Sequence, residues 1–212
     1  MYRSFLRLFL LLTMRPRAAS SLSVTILRHA ETEWNVRGML QGSMDSPLTE
    51  RGEEQARLCG ERLQRQLFTT CYTSPLPRAR RTAELVLRRM DQPPPIEEED
   101  RLRERAFGDW EGLRWPDIQE RFPEEVAKSK SDADYEIAGG GESRSQNLAR
   151  ALDFLAELPL MHSPDERVLV VTHSATAVTI VKHVLGLPQG SRECAQTSAH
   201  LSGLLGYTAA AD

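Results

Sequence analysis

Two histidines and two arginines in this chain stand where residue type and position together permit phosphoryl chemistry. Arg28 and His29 follow directly on the β-rich run Ser23-Val24-Thr25-Ile26-Leu27. His173 follows on the apolar run Val168-Leu169-Val170-Val171-Thr172. Arg78 comes just past a third run, residues 69–73, in the segment Thr73-Ser74-Pro75-Leu76-Pro77-Arg78. An imidazole with an ordinary pKa near ~6.5 is mostly neutral at pH 7, so a ring lone pair can attack phosphorus. A guanidinium offers a planar fork that pairs with two phosphate oxygens at once. In one concavity the four would hold a tetrahedral dianion and present a nucleophile to it. Taken singly, each has a plainer reading: a packing or surface histidine, or an arginine in an ion pair. The shared position at strand ends favours the chemical one.

For the four to meet, the three runs must be neighbouring parallel strands, because ligands in such sheets bind beyond the carboxyl ends. The rest of the pattern supplies the crossovers. Residues 49–66 read as a helix, with Ala56, Cys59, Leu63 and Leu67 recurring at three and four. A second helix runs from Pro75 to about Met90 and carries Ala83, Val86 and Leu87. A third, 145–158, has Leu148, Leu152, Leu155 and Leu158 on one side, and a fourth, 175–185, is stopped by Gly186 and Pro188. Alternating strands and helices predict an α/β fold, a single-domain three-layer α/β/α sandwich with a mostly parallel central sheet. Pro93-Pro94-Pro95 breaks the chain, and Glu97 to Asp100 reads as a solvated edge. Residues 102–112 read as a loop anchored by Phe107 and Trp110, 113–138 as polar with short helical pieces, and 198–207 as a last strand.

The bulk numbers bound the rest. A length of 212 residues, 40% hydrophobic and 27% charged, suits one domain with a proper core. A net charge of −3 gives no global basic field for nucleic acid, and neither dinucleotide nor P-loop glycine motifs occur. Cys59, Cys71 and Cys194 are odd in number and far apart, which argues against a disulfide framework or structural zinc and fits a reducing compartment. Residues 1–21 differ from the remainder: Arg3, Arg7, Arg15 and Arg17 appear with no acid before Glu31, around an apolar stretch interrupted by Arg7. That composition favours a mitochondrial or chloroplast transit peptide over a secretory signal cleaved near Ala18-Ala19-Ser20. Without a targeting role the protein would be cytoplasmic, and the stretch is too short for a stable membrane span. The expected division is a targeting or disordered segment, 1–21, and a catalytic domain, 22–212.

Leu27-Arg28-His29-Ala30-Glu31-Thr32-Glu33-Trp34-Asn35 resembles the signature of the histidine phosphatase superfamily, the phosphoglycerate mutase-like proteins. The resemblance continues through Gln41-Gly42, Asp45-Ser46-Pro47-Leu48-Thr49, Gly52, Ser74-Pro75-Leu76 with Arg78, and Thr82-Ala83. It resumes at Leu102-Arg103-Glu104, Gly108 to Gly112, Gly141-Glu142-Ser143 and Val170 to His173, spanning about residues 23 to 185 in order. Ala30 and Ser174 depart from the pattern, which has glycine at both positions; they matter only where positive φ is required. The resemblance implies that His29 is the nucleophile and that Arg28, Arg78 and His173 hold the phosphoryl oxygens. It makes Glu104 the proton donor, with Glu111 the rival, and places Asn35, Gln41, Gly42 and Ser174 at the substrate. The implied activity is metal-independent hydrolysis of a small phosphate ester, with no cofactor and no nucleic-acid partner. The alternatives are a phosphoglycerate mutase-type phosphotransferase and a non-catalytic sensor of a phosphorylated ligand. The absence of an extra segment and closing tail favours the phosphatase. A metal-dependent hydrolase using His29, Glu31 or Glu33, and His173 is disfavoured by the neighbouring arginines.

Overall fold

The computed structural model describes residues 22–187 and the backbone of residues 11–14. Five strands, β1 (Leu11–Met14), β2 (Ser23–Arg28), β3 (Thr70–Thr73), β4 (Ile96–Glu98) and β5 (Arg167–Thr172), form one sheet in the order β1-β2-β5-β3-β4. β2, β5, β3 and β4 run parallel, and β1 lies antiparallel on the outer edge of β2. Among the described residues are also seven α-helices, α1 (Glu33–Arg37), α2 (Glu50–Leu63), α3 (Pro77–Leu87), α4 (Trp115–Arg121), α5 (Pro123–Ser131), α6 (Arg144–Met161) and α7 (Ser174–Val184), and two single 3-10 turns, Asp100–Leu102 and Gly108–Trp110. Among the described residues no helix is long and apolar enough to cross a membrane.

Successive residues of a strand point to opposite faces, and β5 uses both. Val168 and Val170 pack with Phe154 and Leu158 of α6 and Ala177 and Ile180 of α7. Leu169 and Val171 pack with Ala56 and Leu63 of α2 and Ala83 and Val86 of α3. The chain is therefore the expected three-layer sandwich. Each buried Val, Leu or Ile contributes about 1.5–3 kcal/mol. Gly60 lets α3 approach α2, since a Cβ there would collide with the Val86 carbonyl.

Several details differ from the sequence reading. In β2, Thr25 is buried along with Ile26 and Leu27, because helices cover both faces of the sheet. α2 ends at Leu63 with Gln64 as its cap, so Leu67 lies beyond the helix and is exposed. The buried face of α6 is Asn147, Ala151, Phe154 and Leu158, so Leu158 alone of the leucine stripe is buried, while Leu148, Leu152 and Leu155 are half-buried beside it. Phe154 takes the central place against Tyr72. Glu97 and Glu98 are exposed as expected, but they belong to a short edge strand on β3, a place where charge blocks further pairing. β1 falls inside the segment assigned to targeting. Residues 113–138 resolve into α4 and α5, whose Ile118 and Val126 join Trp110 and Ile137 in a small separate core. The last strand expected at 198–207, and Cys194, lie outside the described residues.

Candidate active site

Register brings the site together. Arg28 lies opposite Thr172 and Thr73 opposite Val171, so the three central strands end at one level. The next residues continue the ladder: the His29 N–H donates to the Thr172 carbonyl at 2.8 Å, and the Ser74 N–H donates to that of Val171 at 3.0 Å. The His29 and His173 rings stand 5.1 Å apart between centroids. A cavity of about 330 Å³ opens over them, lined by Arg28, His29, Asn35, Gln41, Gly42, Arg78, Glu104 and Ser174, together with apolar side chains.

His29 is almost fully buried, and its Nδ1 lies 2.8 Å from the Ala30 carbonyl oxygen. A carbonyl only accepts, so Nδ1 carries the hydrogen and the lone pair of the neutral ring is on Nε2. Burial, reinforced by the charges of Arg28 and Arg78, holds the His29 pKa well below the ordinary imidazole value. The Ala30 N–H in turn donates to Thr82 Oγ1, whose hydroxyl donates to the Arg78 carbonyl. One threonine thus ties the loop that follows His29 to α3.

Arg78 is 1% exposed and clamps the 42–45 loop. Its Nη1 donates to the Met44 carbonyl (2.6 Å) and to Asp45 Oδ1 (2.9 Å), and its Nη2 to the Gly42 carbonyl (2.7 Å). Nε is buried without a protein partner, which leaves the Nε edge of the fork for a ligand. Arg28 likewise buries an unpartnered Nε. Its pKa is lowered by burial, opposed by the nearby charge of Glu104. Two cations with unspent donors on one concavity fit a doubly charged anion.

His173 is fully buried beside His29 and is not among the residues that line the cavity. Its Nε2 lies 2.7 Å from Ser74 Oγ, while Nδ1 has no protein partner. Burial, then the neighbouring His29 and Arg78, lower its pKa well below the ordinary value. Ser174, on the wall, opens α7 as its first residue, so the serine sits in right-handed helical backbone where glycine is not needed.

The two glutamates separate cleanly. Glu104 lines the cavity at the start of α7. Its Oε1 accepts from the Arg105, Ala175 and Thr176 backbone N–H groups at 3.0–3.2 Å. Glu111 does not line the cavity; its Oε1 accepts from the Ser43 and Phe107 N–H groups. It stitches the 41–43 loop to the 107 loop. Gly42, at φ +54°, passes so close that a Cβ there would strike the Glu111 carboxylate.

Two assigned substrate contacts are largely spent on the protein itself. Asn35 closes a capping box at α1, its Oδ1 accepting from the Thr32 N–H. Gln41 donates through Nε2 to Thr32 Oγ1 and accepts from Ser46 Oγ. Glu142 and Arg150 were given no role from sequence. Arg150 forks onto Glu142 at 2.7 and 2.9 Å and also donates to the Arg101 and Glu104 carbonyls. This pair fixes the loop that presents Glu104. The motif Gly141-Glu142-Ser143 was the available signal, but its partner lies eight residues on, within α6. Cys59 and Cys71 are buried and unoxidised, and burial pushes both thiols up to about 12, which makes neither a thiolate nucleophile.

The family model of the histidine phosphatase superfamily (branch 1) matches residues 24–208, and the chain belongs to that superfamily. Its fold and family are those of phosphatase enzymes, and its relatives include phosphatases and phosphoglycerate mutases. It is 40% identical over 152 residues to a metal-independent phosphoserine phosphatase of Arabidopsis thaliana, a match covering 71% of this chain and 63% of that protein. The chain thus spans under two thirds of that relative. It is 34% identical over 169 residues to a 2,3-bisphosphoglycerate-dependent phosphoglycerate mutase of Methylobacterium, over 77% of this chain and 81% of the other. A mycobacterial glucosyl-3-phosphoglycerate phosphatase, solved with VO3, superposes with a TM-score of 0.69 at 32% identity, over 77% of this chain and 80% of that one.

Proposed function

We propose that the protein hydrolyses small phosphate monoesters through a phosphohistidine on His29, without a metal. The observation that carries this reading is the Nδ1 contact to Ala30, which leaves the Nε2 lone pair on a ring flanked by two arginines with unspent donors. Arg28 and Arg78 hold the phosphoryl oxygens and stabilise the charge spread over them during in-line transfer. Nε2 attacks phosphorus as the ester P–O bond breaks, and Glu104 gives its proton to the leaving alkoxide. Water then attacks the phosphohistidine, Glu104 takes its proton back, and phosphate departs. His173 serves a phosphoryl oxygen through Nδ1, its tautomer set by a hydroxyl hydrogen from Ser74. Glu111 has a structural part. The phosphatase names among the relatives support hydrolysis, while the mutase names keep phosphoryl transfer as the competing outcome.

The test is phosphate release, with excess EDTA, from a panel of small phosphomonoesters. Turnover is the expected result. Transfer between hydroxyls of one substrate with negligible release would replace hydrolysis by the mutase reading. Loss of all release on adding EDTA would overturn the metal-free route.

A further inference from the structure

We infer that the leaving-group end of the cavity selects neutral esters with an apolar face and discriminates against esters that carry a second anionic group. This rests on the phosphatase reading above and adds to it a substrate class. Beyond the phosphate-binding residues, the large side chains on the wall are the apolar Met39, Leu40, Phe107 and Val178, beside Asn35 and Gln41. The only cations among the described lining residues are Arg28 and Arg78, which match the two charges of a phosphate dianion. A carboxylate on the leaving group would meet no further cation on this wall and would face the Glu104 carboxyl. Arg105, between Glu104 and Phe107 in sequence, is buried, donates through Nε to the Glu142 carbonyl, and lies with its guanidinium 5.4 Å from the Phe107 ring centre. It is not a lining residue.

The polar side chains on the wall are mostly committed as well. Gln41 uses both ends of its carboxamide, and Asn35 uses its oxygen as a cap. An apolar face on the leaving group gains by covering Phe107 and Val178, whereas an unpaired charge there loses its hydration. Phe107 is also fixed in place. Its N–H donates to Glu111, and its ring packs on the small core beneath α4 and α5.

The experiment compares kcat/KM within two pairs: phenyl against 4-carboxyphenyl phosphate, and n-propyl phosphate against 3-phosphoglycerate. The neutral member is expected to lead by about tenfold or more in each pair. In the first pair the carboxylate makes the phenol a slightly better leaving group, so intrinsic reactivity runs against the expected order. Val178→Arg, or Met39→Lys if the first does not fold, adds a cation to the wall and should shift both ratios toward the carboxylate esters. Phe107→Ala should lower kcat/KM for phenyl phosphate more than for propyl phosphate. A wild-type ratio near one, or reversed, with turnover intact overturns this inference and leaves the phosphatase reading standing. No release from any of the four esters removes both.

Discussion

The two ends of the cavity are built in opposite ways. The phosphate end is polar and comes from the ends of β2, β3 and β5, where the strand register fixes each group. His29, Arg78 and His173 are buried there, and each is hydrogen-bonded to a neighbouring loop or strand end. The leaving-group end is largely apolar and comes from α1, the loop after it, the 107 loop and α7. Its support is a small separate core under α4 and α5, outside the sheet. On the proposed reading, chemistry sits on strand ends and selectivity on connecting segments, where sequence can change without moving His29.

Substitutions should respect that boundary. Glu104→Gln bears most heavily on the phosphate end: alkyl phosphates should slow by about 100- to 10,000-fold, the range for removal of a general acid. Esters with acidic leaving groups should suffer far less, and equal damage to both would remove the proton-donor role. Ile118→Ala, in the small core, should cost about 2–5 kcal/mol of stability by denaturant titration. Because its effect is expected in that small core, outside the sheet, surviving folded protein should still show the phosphoenzyme. Arg78→Ala should lower kcat/KM about tenfold to a hundredfold or more for every ester alike. Arg78→Lys should recover little, since an ammonium cannot bridge the Gly42 and Met44 carbonyls and a phosphate together.

The smallest expected effect is on pH. His29 and His173 are both held below the ordinary imidazole value, so the unfolded chain binds more protons than the folded one below about pH 6.5. Their contribution to stability should be complete above that pH and decline as the pH falls, by at most about 1.4 kcal/mol per unit for each ring. His173→Asn should flatten the slope of stability against pH; an unchanged slope would mean that His173 does not titrate on unfolding. The same depression keeps His29 neutral at mildly acidic pH, which should extend activity below pH 6.

The phosphate end was legible in the sequence because it depends on strand ends. A β-rich run stopping at Arg28-His29 and another stopping at His173 are local signals, and a parallel sheet turns them into neighbours. The sandwich was legible for the same reason. The leaving-group end was not. Met39, Leu40, Phe107 and Val178 come from four segments with no shared periodicity, and α4 and α5 are too short and polar to announce a buried face. The roles of Glu111 and Glu142 were hidden because their carboxylates bond to backbone N–H groups, which any residue supplies. His173 was legible as a neighbour of His29, but its contact with Ser74 was not, since that serine comes from a third strand end.

The most direct test of the central claim is to quench the enzyme during turnover of phenyl phosphate and locate the phosphoryl group by peptide mass spectrometry. The account predicts an acid-labile, alkali-stable adduct on His29 that is absent from His29→Ala, together with loss of turnover in that variant. Undiminished turnover in His29→Ala, or an adduct on another residue, would contradict it.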